Sequence, residues 1–349
     1  MSPAPRAGAG RLQPRGTVEL GDYPVDLAWS GDARALLVGL GDGSLVWVPS
    51  EQPGALRRLP GHKGGVLAVG WQRAGRLAAS SGQDGAVLLW DMGSFQSTRI
   101  RQARQWSEHL AFAPDGRWLA VASGRSLSLF DGQGECGYDH ATAPGTIAAL
   151  AWRPRGRELA TAGNGGVQIH QPPAQGRAPA EGAVRDYPVR GACLSVAFSP
   201  DGRWLAAGLQ EGSVQLWNLA AGTQAQMTGY GSRVWATDWS ASGRYLATAA
   251  GNTVAVWDCA GRGPEGTRPL ALQGHAERIT AMAFRPGGSW LVSAARDRRV
   301  LWWRVGAGEA PQDAHLLGEA CSALRFAADG TRLAVVDVSG RLTIYDCQP

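Results

Sequence analysis

The chain has 349 residues, of which 44% are hydrophobic and 18% charged, with 49 glycines and 15 tryptophans. Enough apolar residues to bury a large core exclude a disordered chain, and frequent turn residues between aromatics point to strands rather than helices. The net charge is +5 and rests almost wholly on arginine, Lys63 being the one lysine; these arginines are mostly single residues at turns, with one local cluster at Arg296, Arg298, Arg299 and Arg304, which speaks against a continuous nucleic-acid stripe.

In chain order, residues 1–14 read as a disordered basic tail and residues 15–349 as a single domain. The first residues lack the apolar core of a signal peptide, and no apolar run reaches the roughly 18–20 residues of a membrane span. Five cysteines, an odd number without a CxxC pair, disfavour a disulfide framework or a cysteine-rich zinc site and suit a reducing, cytoplasmic setting. Cys136 and His140 share one inter-repeat stretch, and His170 stands where other repeats carry an aromatic. Loop polarity accounts for them, so no metal and no cofactor is expected.

From Gly16 the sequence repeats about every 40–46 residues. Each unit is an apolar alternation ending in an aromatic, a polar turn, a second apolar run, a Gly-rich turn and a third run ending in an aromatic. The first aromatics are Trp29, Trp71, Phe112, Trp152, Phe198, Trp239, Phe284 and Phe326. Turns such as APDGR, SPDGR and SASGR follow them, and their Asp-Gly and Ser-Gly pairs supply the positive φ of tight hairpins. Three short antiparallel strands per period, with a variable stretch for a fourth, describe one propeller blade.

With Trp-Asp at Trp90-Asp91 and Trp257-Asp258, and Gly-His at Gly61-His62 and Gly274-His275, the pattern resembles the WD40-repeat (G-beta-like) β-propeller family. The resemblance covers about Arg15 to Asp346 and implies an all-β closed ring. Eight units predict eight four-stranded blades, with GTVELG at Gly16–Gly21 closing the last one; seven blades plus an irregular unit is the alternative. The junction VAVWDCAGRGPEGTRPLALQGH is similar to bacterial WD40 proteins associated with metal-chaperone GTPases, which gives the family reading a bacterial-type qualifier.

Two units hold Ser, His and Asp together: His62, Ser80, Asp84 and Trp90 in unit 2, and His275, Ser293, Asp297 and Trp303 in unit 7. A hydrolytic triad occurs once, beside an oxyanion hole. The same set at the same offsets in two repeats reads instead as the structural Asp–His–Ser–Trp chain of the resembled family, so no catalytic residue and no enzyme is expected. Asp297→Ala should then cost about 1–3 kcal/mol by orphaning His275, and equal melting temperatures would refute that role. In units 4 and 6, whose turns are one residue shorter, Thr161 and Thr248 stand at the serine position. Two inserts, Gln171 to Arg190 and Cys259 to Arg268, read as surface loops, the first as a mobile one.

The resemblance also implies where a partner binds, at positions on the narrow face counted back from the strand aromatics. Those that carry binding-prone side chains here are Tyr23, Trp106, Glu108, Arg233, Trp235, Arg278 and Arg296. Their basic, aromatic character suits an acidic peptide, because arginine pairs bidentately with carboxylates. The expected function is a monomeric, non-catalytic scaffold for a protein or peptide partner. A nucleic-acid-binding or metal-homeostasis accessory role is the alternative, with nucleic acid disfavoured and no membrane partner.

Overall fold

The computed structural model describes residues 11–140, 143–173, 184–261 and 263–348. In each unit the first-strand aromatic is followed by a tight turn that reverses the chain. In unit 2, for example, Val66–Trp71 pairs antiparallel with Leu77–Gly82, which pairs with Ala86–Asp91, which pairs with Gln96–Gln102. Position in the sheet decides what each strand buries: the second strands, such as Ala35–Leu40 and Trp204–Leu209, are covered on both faces, whereas the outer Gln96–Gln102 is mostly exposed. A strand packed between two neighbours can be apolar throughout, and an outer strand cannot.

The expectation of eight four-stranded blades is corrected. The described residues form seven sheets, six of four strands and one of six. In the six-stranded blade, Leu159–His170 runs on as one strand through Gly165 and Gly166, both at positive φ. Val184–Phe198 is likewise continuous, pairing with Val167–His170 at its start and with Trp204–Leu209 at its end. Hydrogen bonding therefore crosses from unit 4 to unit 5 and fuses them. The seven-blade alternative is the one the sheets follow, with the irregular unit absorbed into a wide blade. The fusion also corrects the mobile insert: Val184–Arg190 is strand, and residues 174–183 lie outside the described residues.

The ring closes at its termini. Leu12–Glu19 pairs with Arg341–Cys347 and completes the sheet of unit 8, with Val18 opposite Leu342 and a register break between Pro14 and Gly16. The closing strand thus starts four residues before Gly16, and of the expected tail, residues 1–10 lie outside the described residues. Arg332 of unit 8 anchors the seam: it donates to Ser50 Oγ (2.5 Å) and Ala33 O (3.0 Å) of unit 1 and pairs with Glu51, which also pairs with Arg15.

Apolar clusters lie between consecutive units rather than within them. Leu27, Leu36 and Val46 of unit 1 pack on Val336, Leu342 and Ile344 of unit 8. Ala160, Val167 and Ile169 of unit 4 pack on Val196, Phe198 and Leu205 of unit 5. Contact between one unit and the next holds the ring, as in other repeat folds.

Candidate functional site

One face of the ring collects two kinds of loop: the turn between the second and third strands of each unit, and the loop that precedes each inner strand. Within a unit they bond to each other, as in Gly41 N–H to Tyr23 O (2.8 Å), Gln83 to Gly65 (2.9 Å), Arg296 to Arg278 (3.0 Å) and Val338 to Ala320 (2.9 Å). Between units the turn carbonyl accepts from the next loop: Gly43 O from His62 (2.8 Å), Gly85 O from Ala103 (2.9 Å), Arg298 O from Leu317 (2.7 Å) and Gly340 O from Leu20 (2.7 Å). These backbone bonds satisfy groups that strand pairing leaves over, and they hold the face as a stiff rim.

The two Asp–His–Ser–Trp sets lie beneath this rim. In unit 2, His62 Nδ1 is 3.0 Å from Asp84 Oδ1, His62 Nε2 is 2.9 Å from Ser80 Oγ, and Trp90 Nε1 donates to the same Oγ at 3.0 Å. In unit 7 the corresponding distances are 3.1, 2.8 and 2.8 Å. Asp84 and Asp297 also accept the N–H of the residue after the histidine, Lys63 (3.0 Å) and Ala276 (2.8 Å). Gly82 is obligatory here, since a Cβ would sit 2.5 Å from His62 Cγ.

Burial lowers the pKa of both histidines, with the aspartate opposing it. Burial also works against ionised Asp84 and Asp297, but backbone donors and the histidine together outweigh it and hold both carboxyls low. The serines are fully buried, and each Oγ already takes an indole N–H. Neither serine can reach a substrate.

Two further units solve the same problem with different side chains. In unit 6 Tyr230 occupies the histidine position: its OH lies 2.8 Å from Thr248 Oγ1 and accepts Trp257 Nε1–H at 2.7 Å. In unit 4 His170 replaces the tryptophan, with Nε2 3.0 Å from Thr161 Oγ1 and Nδ1 3.2 Å from Tyr138 OH. Reading for a histidine after glycine missed Tyr230, although the Gly-Tyr at 229–230 was the available signal.

The candidate binding residues divide. Trp106 and Tyr23 stand out from the face, 53% and 46% exposed, and Arg233, Arg278 and Arg296 are exposed as well. Glu108 is half-buried, its N–H bonded to Ala122 O. Trp235 is not a free surface ring: it packs on the cluster between units 6 and 7, its Nε1 is buried without a partner, and Arg278 lies 5.7 Å above it. Trp106 and Trp235 are therefore not equivalent anchors.

Among the described residues no group of three or more His, Cys, Asp or Glu is placed to hold a metal. His140 and His170 approach to 5.1 Å between ring centroids, yet both nitrogens of His170 face hydroxyls. Cys136 is exposed, while Cys193, Cys259, Cys321 and Cys347 are buried, all as free thiols. No helix among the described residues is long and apolar enough to cross a membrane.

Antiparallel sheets arranged round a ring, closed by the N-terminal strand and pinned by repeated buried hydrogen-bond chains, define a β-propeller. Residues 54–91, 105–131, 187–218, 223–258 and 266–304 match the family described as WD domain, G-beta repeat, and the chain belongs to the WD40-repeat proteins. It is 25% identical to Cell division cycle 20.4, cofactor of APC complex, of Arabidopsis thaliana, over 83% of this chain and 67% of that one. It is also 25% identical to WD repeat-containing protein slp1 of Schizosaccharomyces pombe, over 87% and 54%. With Protein FIZZY-RELATED 2 of Arabidopsis thaliana it shares 24% identity, over 81% and 59%. The chain thus spans between about half and two thirds of these relatives. They are plant and fission-yeast proteins, so the bacterial-type qualifier has no support. The crystal structure of a computationally designed protein, Ika8, superposes with a TM-score of 0.77 over 96% of this chain and 99% of that one at 20% identity, a likeness of fold.

Proposed function

We propose that this chain is a non-catalytic protein-interaction scaffold that binds an acidic segment of a protein partner through the face carrying Tyr23, Trp106, Arg233, Arg278 and Arg296. One observation carries the reading. An exposed tryptophan shares that face with three exposed arginines, none of which has a carboxylate partner among the described residues. Exposed tryptophan is costly without a cover, and unpaired arginine is the residue type best suited to carboxylates.

Two further facts support it. Cell division cycle 20.4 is named as a cofactor of a complex, which fits a propeller that presents other proteins. Both Ser-His-Asp sets are engaged in buried hydrogen bonds, which supports reading them as structural. The free thiols suit a cytoplasmic location.

The test is affinity capture from host lysate with wild type and with Trp106→Ala/Arg233→Ala/Arg278→Ala, after circular dichroism has matched the two folds. Partners held by wild type and lost by the variant support the reading. Partners shared by both refute this face, and partners lost only to nuclease or chelator put the nucleic-acid or metal reading in its place.

A further inference from the structure

Units 2 and 7 each place a carboxylate beside their buried hydrogen-bond chain. Asp84 and Asp297 reach from the turn between second and third strands, and each accepts the N–H that follows the histidine. Unit 6 has no such carboxylate. Its turn is cut to Gly251-Asn252, with Ala250 paired directly to Thr253. Gly231, at the position of Lys63 and Ala276, consequently meets no side chain of its own unit within 4 Å of where a Cβ would stand.

The vacated space is a cavity of about 410 Å³. Its lining includes Tyr230, Trp257 and Pro269, together with exposed Ser232 and Asn252, which mark its mouth, and half-buried Thr253. Among the described residues no ionised side chain lines it. Arg233 and Arg268, the chain neighbours of Ser232 and Pro269, are exposed and without an ion-pair partner among the described residues. Glu211, on the neighbouring turn, lies instead against Gly191 of its own unit.

The loop over the cavity is also untied. Where the loops before units 1, 2, 3 and 8 are stapled to the preceding turn, residues 228–232 make no such backbone bond among the described residues. Their amides remain available to an incoming acceptor, and they are held through the Tyr230 hydroxyl.

We propose that this cavity receives a carboxylate side chain from an acidic segment of a partner protein, which supplies in trans the group that Asp84 and Asp297 supply in cis. The proposal rests on the reading of the chain as a scaffold for an acidic segment and gives that segment a specific pocket. The carboxylate bonds to the free loop amides and the hydroxyls of the lining, its stem lies against the aromatic wall, and Arg233 and Arg268 complement flanking acidic residues. At 410 Å³ the cavity has room for one acidic side chain and part of its backbone.

The experiment is fluorescence anisotropy with a labelled decapeptide of alternating glutamate and glycine, against the same peptide with glutamine for glutamate. It is measured on the full chain, on Ser232→Asp, which puts a like charge at the mouth on an exposed residue, on the neutral Ser232→Asn, and on Trp106→Ala/Arg296→Ala. Binding of the glutamate peptide alone, weakened at least tenfold by Ser232→Asp and retained by Ser232→Asn, is the expected result. Glutamate-specific binding that ignores Ser232→Asp but falls in Trp106→Ala/Arg296→Ala overturns the pocket and leaves the scaffold reading intact. Failure of the glutamate peptide to bind wild type overturns the pocket together with the acidic partner.

Discussion

Ser293→Ala is expected to cost the fold about 2–6 kcal/mol, while Ser81→Ala, at an equally buried serine, costs almost nothing. Ser293 Oγ is the one acceptor for Trp303 Nε1–H at 2.8 Å and the partner of His275 Nε2 at 2.8 Å. Alanine removes an oxygen and leaves two polar groups in a site that water does not reach. Each orphan costs about 1–3 kcal/mol, because desolvation has been incurred without a bond to offset it. Ser81 Oγ is also buried but has no partner, so it contributes only its desolvation penalty. Its removal should leave stability level or slightly higher. Urea midpoints for the two variants at neutral pH decide the matter. Equal costs would show that the hydrogen-bond chain is incidental and that serine volume is what these positions require.

The contrast also marks how far sequence offsets reach. Serine ten residues and aspartate six residues before tryptophan matched the resembled family's spacing, and that resemblance is what put His62, Ser80, Asp84 and Trp90 in one chain; a β-hairpin preserves such a match because it converts fixed offsets into fixed neighbours. The same logic put Thr161 and Thr248 at the serine position. It failed at their partners, since nothing in a spacing says that a tyrosine can stand for histidine or a histidine for tryptophan. Those exchanges depend on which hydroxyls and ring nitrogens meet across the blade, as Tyr138 and His170 do.

Long-range features were less legible still. The Arg332–Glu51–Arg15 contacts join positions nearly the whole chain apart, and no local pattern announces them. The fused blade was hidden because residues 184–190 (VRDYPVR), with a proline inside them, read as loop. Their pairing is decided by the partner strand and not by their own propensity. The shortened turn of unit 6 was visible in the sequence as a missing residue. Its consequence, an open cavity beside an untied loop, became visible only once the filled equivalents in units 2 and 7 could be laid beside it.

Acid should act on this fold through two shifted groups of opposite sign, buried His170 and half-buried Asp238, and the second large prediction is that substituting each exposes the other. Burial, followed by the like charge of His140 and opposed by Asp186, drives the His170 pKa from 6.5 to about 4. Above pH 6.5 the ring is neutral folded or unfolded, and the stability it contributes is fully present. Between 6.5 and about 4 the unfolded chain takes a proton that the native ring refuses, so stability falls, by roughly 3 kcal/mol across the window. Burial pushes the Asp238 carboxyl up to about 6, against the N–H groups of Phe284 (2.6 Å) and Trp239 (2.9 Å) and the charge of Arg325. Below pH 6 the native state takes up this proton first, and stability rises until the unfolded carboxyl titrates near its ordinary 3.8.

His170→Gln should therefore lose less stability than wild type between pH 6.5 and 4, and Asp238→Asn should lose more. His62, His109 and His275, also lowered by burial, add an acid loss common to all three proteins, and it cancels in the difference. Urea unfolding at half-unit pH steps gives those difference curves. Parallel curves for the three proteins would mean that neither group keeps its shifted protonation in the native ring. Divergence to either side of wild type would show that both groups keep their shifted protonation in the native ring and act in opposite directions on top of the loss common to all three proteins.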